Sequence, residues 1–226
     1  MYNPFKQIPI LMLFVVFAGI SMPSLAQTTP ASSATTPDQA LQTPAGKFIQ
    51  DLGDKAISII ADKSLTQAQR SSKYEGLLQD AFNLPAIGHF VLGRAWNTAT
   101  PQQQDDFIKL FSRSVIKIYG ERLSFYSGES FHVKGVRNES DKDYIVSSEI
   151  GHPGGAQPTT IDWRVRQDNG KTAILDVSVE GVSQSITQRD EYADILQRNN
   201  GNIDALLNLM RQRLQNPAPG QPSSSP

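Results

Sequence analysis

Apolar side chains along this chain recur first at helical spacing, then at every second position, then at helical spacing again. Thr43-Pro44 supplies a cap and a first-turn proline, and Phe48, Leu52, Ala56, Ile59 and Ile60 follow on one face, which predicts a helix ending near Ala61. Thr66 and Gln69 have capping-box spacing ahead of Tyr74, Leu77, Leu78 and Phe82, a second helix that stops before Pro85. A short third helix over 85–92 is apolar through Ile87, Phe90, Val91 and Leu92, so it is expected to be largely buried, with Gly93 as its stop. The clearest start signal is Thr100-Pro101-Gln102-Gln103. Its helix carries Phe107, Phe111, Val115, Ile118, Tyr119 and Leu123 as one stripe, widened by Leu110, Phe125 and Tyr126.

From Ser130 the period becomes two: Phe131 and Val133, then Tyr144 and Val146, then Ile161, Trp163 and Val165, then Leu175, Val177 and Val179. These are four half-buried strands, the last two joined through Asp168-Asn169-Gly170 as an antiparallel hairpin. Their polar partners, including Asp162, Arg164, Arg166 and Asp176, face the other way, the pattern of a sheet with one wet face. Gly181 bends the last strand, Thr187 caps a helix through Tyr192, Ile195 and Leu196, and Asn202 caps a final one carrying Ile203, Leu206, Leu207, Met210 and Leu214. Helices, then strands, then helices is an α+β order, which predicts helices packed on one face of a curved antiparallel sheet of about four strands. The stripe of the long helix is wider than one helix neighbour covers, so an apolar pocket between helices and sheet is expected.

The two ends read differently. Lys6, an apolar run over 8–20 and Ser24-Leu25-Ala26 are the three parts of a secretory signal peptide over residues 1–26, expected to be cleaved near Ala26; the run is shorter than the ~20 residues of a membrane span, and an uncleaved anchor is the alternative. Residues 27–42, rich in Thr, Ser, Ala, Gln and Pro, are expected to form a flexible leader, and residues 216–226 a disordered tail. One domain over 43–215 remains. The chain has 21 Lys and Arg against 22 Asp and Glu, a balance that argues against nucleic-acid binding. It has no cysteine, which excludes disulfides, thiolate metal sites and cysteine nucleophiles.

Candidate chemistry is sparse. There is no nucleophile elbow, phosphate loop, zinc-protease helix or dinucleotide fingerprint. His89, His132 and His152 fall on a helix, a strand and a Gly/Pro loop without metal-ligand spacing, and the acidic pairs Asp105/Asp106 and Asp190/Glu191 sit where helix starts favour carboxylates. A hydrolase built on His152 and an adaptor with a filled core stay as alternatives. The aromatic set of Trp96, Trp163, Phe90, Phe107, Phe111 and Tyr119 reads as core or as the lining of a hydrophobic-ligand pocket.

Val91-Leu92-Gly93-Arg94-Ala95-Trp96, Ala99-Thr100-Pro101-Gln102-Gln103, Asp176-Val177-Ser178-Val179-Glu180-Gly181-Val182-Ser183, Thr187-Gln188-Arg189-Asp190-Glu191-Tyr192 and Gly201-Asn202-Ile203-Asp204-Ala205-Leu206 occur in that order. Together they resemble the MlaC, or toluene-tolerance auxiliary, family over about residues 44–214. The resemblance implies a monomeric, non-enzymatic periplasmic carrier that binds phospholipid and shuttles it between an outer-membrane lipoprotein complex and an inner-membrane ABC transporter complex, with no cofactor beyond the lipid. A branch associated with hopanoid synthesis has similar motifs, which leaves a polycyclic terpenoid as the other ligand class. The expected lipid-binding residues are Phe90, Trp96, Phe107, Phe111, Val115 and Tyr119 from the helices and Trp163, Val165, Val177 and Val179 from the sheet. Arg94, Arg164, Arg166 and Arg189 are the arginines available to a phosphate.

Overall fold

The computed structural model describes residues 35–122 and 128–215, and the side chains of 119–122 are not among what it describes. The expected signal peptide and tail lie outside these residues. Helices α1 (Pro37–Leu41), α2 (Pro44–Ala61), α3 (Gln67–Ala81), α4 (Leu84–Leu92) and α5 (Pro101–Arg122) precede strands β1 (Ser130–Asn138), β2 (Asp143–Gly151), β3 (Thr159–Asp168), β4 (Lys171–Val179) and β5 (Val182–Ser183). Helices α6 (Gln184–Arg198) and α7 (Ile203–Gln215) follow, so the architecture is the expected α+β, with five strands in place of four.

Local hydrogen bonds explain where the helices begin. Thr43 accepts from the Gly46 amide, and Thr66 and Gln69 exchange both bonds of a capping box. Thr100 and Gln103 do the same, at 3.2 and 3.0 Å, ahead of α5. Asn83, just before the expected start, caps α4 through the Ala86 amide. Two expectations are corrected. The last part of the expected leader is ordered: Thr36-Pro37-Asp38-Gln39 is a capping box with a first-turn proline, and α1 buries Ala40. Thr35 before it bonds to β1, its amide to the Val136 carbonyl and its hydroxyl from the Val136 amide. Helix α6 begins a turn earlier than Thr187. Ser183 is its cap, accepting from the Ile186 amide, while the Thr187 hydroxyl turns back to the Ser183 carbonyl.

The strands form an antiparallel meander in the order β1-β2-β3-β4-β5. Asn169 and Gly170, at φ 50° and 74°, make the expected turn between β3 and β4. Glu180 and Gly181 repeat it at φ 50° and 79°, so Gly181 reverses the chain and creates β5. A bulge in β4 changes which residues face inward. Arg164 pairs with Asp176 but Val165 pairs with Ile174, so Leu175 is the extra residue and Ile174, not Leu175, shares a face with Val177 and Val179.

Apolar burial falls into two clusters. In one, Ala40, Ala45 and Ile49 of α1 and α2 and Ala81 of α3 pack on Phe131, Val133, Val136, Val146, Val165 and Ile174 of the sheet. In the other, α4, α5, α6 and α7 pack on one another through Val91, Phe107, Phe111, Tyr192, Leu206, Leu207 and Met210. Phe82 touches both, and the next amide, Asn83, donates to the Ile174 carbonyl at 3.0 Å.

The opposite face of the sheet is charged. Asp143, only 2% exposed, accepts from Arg166 Nε at 2.7 Å and from Arg164 Nη2 at 2.9 Å. The hydrogen bond from Arg166 leads the effects that hold its carboxyl below the usual 3.8, with Arg164 adding to it. A depressed carboxyl contributes stability above its unfolded pKa and loses it as pH falls through the folded value. Asp143→Asn is therefore expected to lower stability at pH 7 by about 1–2 kcal/mol. The gap from wild type, measured by urea unfolding, should narrow below the usual 3.8. A second prediction concerns the α2–sheet contact, where a Cβ at Gly53 would run into the Phe131 ring. Gly53→Val should destabilise by about 2 kcal/mol through overpacking, read as a lower urea midpoint.

Candidate functional site

Antiparallel pairing places whole rungs of side chains on the sheet face turned toward α1 and α2. One rung runs Tyr144–Val165–Ile174, with Val165 and Ile174 sealed from solvent. The next runs Val136–Val146–Trp163–Val177, buried in β1 and β2 but half-buried at Trp163 and Val177. The third runs Val133–Ser148–Ile161–Val179–Val182, buried as far as Ile161, half-buried at Val179, and 51% exposed at Val182. The inner face thus opens toward β4 and β5, the strands from which α6 departs.

The indole of Trp163 and the hydroxyl of Ser148 on this face are satisfied internally. Trp163 Nε1 donates to Ser148 Oγ at 2.8 Å, and the Ser148 hydroxyl donates on to the Ile161 carbonyl at 3.2 Å. The indole ring stands edge-on to Phe131, with centroids 6.2 Å apart. What remains available beside them is apolar surface, which suits a hydrocarbon rather than a polar ligand.

Phe107 and Phe111 of the helix stripe do not face this surface, which corrects the expectation that they form the opposite wall. Phe107 and Phe111 stack with centroids 5.9 Å apart, and Phe107 meets the edge of Tyr192 at 5.8 Å, all inside the helical core. Val115 packs against the same cluster. Gly88 permits the close approach of α4 and α5, since a Cβ there would come within 2.6 Å of Ile108 Cδ1. Trp96 packs beside that core, and its ring meets His89 edge-on at 4.7 Å. Tyr119 belongs to α5, but its side chain is outside the described residues. Phe90, expected to be buried, is 42% exposed. The structure therefore brings the four sheet residues to one face and places Trp96, Phe107, Phe111 and Val115 in the other cluster.

The arginines divide as well. Arg164 and Arg166 are committed to Asp143. Arg189 joins no ion pair and donates no hydrogen bond among the described residues; its guanidinium lies over the Phe90 ring at 4.9 Å. His152 Nε2 is 2.9 Å from the Thr159 hydroxyl, and no group of three or more His, Asp or Glu side chains among the described residues is placed to hold a metal. Among these residues no helix is long and apolar enough to cross a membrane. A groove the sequence pattern did not foreshadow, about 390 Å³ in volume, lies between α2 and α3, lined by Ile59, Gly76 and Leu77 with Lys55, Lys73 and Asp80. Its only early signal was Gly76, where the helix surface lacks a side chain.

Known proteins match nearly the whole of this fold. The chain is 27% identical over 180 residues to the toluene tolerance protein ttg2D of Pseudomonas putida, covering 77% of this chain and 80% of that protein. It is 25% identical over 193 residues to the intermembrane phospholipid transport system binding protein MlaC of Haemophilus influenzae, covering 84% and 87%. A solved phospholipid-binding protein from Ralstonia solanacearum, in complex with a phospholipid, superposes with a TM-score of 0.67 at 21% identity, over 76% of this chain and 98% of that one, which establishes a shared fold. Residues 50–212, nearly the whole described domain, match the model of the MlaC protein family, and this chain belongs to that family.

Proposed function

We propose that this protein is a periplasmic phospholipid carrier, with acyl chains lying against Trp163, Val177 and Val179. The observation that carries this reading is the open part of the inner sheet face: apolar, partly exposed, and with the Trp163 indole and Ser148 hydroxyl already paired. Each methylene moved from water onto such a surface contributes ~0.8 kcal/mol, so an acyl chain is held without any charged contact. Membership of the MlaC family, the phospholipid transport name of the Haemophilus relative and the phospholipid in the Ralstonia protein support the ligand class. Val165, sealed beneath the same face, and Phe107 and Phe111, sealed in the helical core, act as scaffold in this reading.

The reading continues to the cell. A signal peptide cleaved near Ala26 delivers a monomer to the periplasm, where it takes lipid from one membrane complex and gives it to another, an outer-membrane lipoprotein complex and an inner-membrane ABC transporter complex. No cofactor takes part, and the work is binding and release rather than catalysis.

Lipid extracted from the purified exported protein and identified by mass spectrometry is expected to be phospholipid. A lipid-free protein that takes none up, or one carrying a polycyclic terpenoid, would overturn the assignment. Val177→Asp places a carboxylate on the apolar face and should reduce bound phospholipid at least about tenfold, because an unpaired charge is then buried under the chain. N-terminal sequencing of the exported protein should begin at Gln27.

A further inference from the structure

Arg189 is held but unused. Its guanidinium lies over Phe90, and Gly93 makes room for it: a Cβ at that position would sit 3.3 Å from Arg189 Nε. Gly93 also has a backbone that glycine adopts readily, at φ 60° and ψ −131°. An arginine stacked on an aromatic ring keeps its N–H edge free for in-plane hydrogen bonds, and this one has no carboxylate, carbonyl or hydroxyl partner among the described residues. Its surroundings are apolar and exposed. Phe90 is 42% and Ile186 is 52% exposed, and Ile186 stands one turn before Arg189 on the same side of α6.

The chain links this patch to the open inner face of the sheet. Val182, 51% exposed, shares a rung with Ile161 and Val179, and the chain passes from it through the cap Ser183 directly into α6. Arg189 is about 9 Å along the helix from that cap, less than the length of an extended acyl chain. Helices α4 and α6 both pack against β4, the strand that carries the half-buried Val177 and Val179. A guanidinium fixed on a ring, without a partner among the described residues and beside apolar side chains, matches a diacyl phosphodiester: hydrocarbon along the apolar surface, phosphate oxygens at its end, met by two parallel N–H bonds.

Resting on the phospholipid-carrier reading, we propose that Arg189, positioned by Phe90 and Gly93, is the phosphate contact for the head group of the bound lipid. Of the other arginines named from sequence, Arg164 and Arg166 are already neutralised by Asp143 on the opposite sheet face, and Arg94 is exposed.

The test equilibrates the mature protein with mixed micelles of dioleoyl phosphatidylglycerol and dioleoylglycerol, separates it by size exclusion and quantifies both lipids by mass spectrometry. Wild type is expected to retain the phospholipid in preference to the diacylglycerol. Arg189→Met keeps the apolar stem over Phe90 and should lower phospholipid retention about tenfold while leaving diacylglycerol and the thermal midpoint unchanged. Arg189→Gln, read in the same way, serves if the methionine variant does not fold. Phospholipid retention equal to wild type in the folded variant overturns the role of Arg189 and leaves the carrier reading standing. Wild type that retains neither lipid overturns both. Excess inorganic phosphate is expected to leave the preference intact; loss of the preference would mean a site for free phosphate and overturn the head-group assignment.

Discussion

The backbone bond from the Asn83 amide to the Ile174 carbonyl, with Phe82 wedged beside it, fastens the helical core to the sheet. Each core is closed by its own apolar contacts, and Phe82 packs against both. The location of the seam matters as much as its existence. It joins β4 at Ile174, on the sealed rung, so the helical layer is anchored at that end of the strand while Val177 and Val179 further along remain half-buried. An open apolar face in water is unfavourable by itself, and it persists here because the ends that hold the molecule together lie elsewhere.

The two-register character of the sheet follows from its bulges. A strict period of two would have placed Leu175 with Val177 on the inner face; the extra residue in β4 puts Ile174 inside instead, while Asp176 faces outward. There Asp176 receives the Ser183 hydroxyl and the Ser185 amide, closing the start of α6. The inserted residue places Ile174 in the apolar floor, and Asp176 nearby holds the place from which the helix bearing Arg189 leaves the sheet.

Most of the fold was legible in the sequence because its signals are local. Thr66 with Gln69, Thr100 with Gln103 and Asn169-Gly170 act within a few residues, and each does in the structure what its chemistry dictates. The same capping signal at Thr36 was hidden by a composition resembling disorder, and Glu180-Gly181 lacked the usual asparagine. The site was less legible. Periodicity identifies the apolar side of α5 but not its neighbour, and Phe107 would show the same stripe whether it met a sheet or Tyr192. Likewise an arginine in sequence carries no mark of whether a carboxylate awaits it, as Asp143 does for Arg166 and no residue described here does for Arg189.

A protein that leaves part of a β-sheet's apolar surface uncovered invites other sheets to add to it, and both borders here are occupied. Thr35 takes the Val136 amide and carbonyl along the outer side of β1, while β5 ends the opposite border after two residues before the chain turns into α6. The backbone groups of Val136 are thus unavailable to a second sheet, and β5 offers one only two residues of edge, even as the greasy face beside them stays accessible.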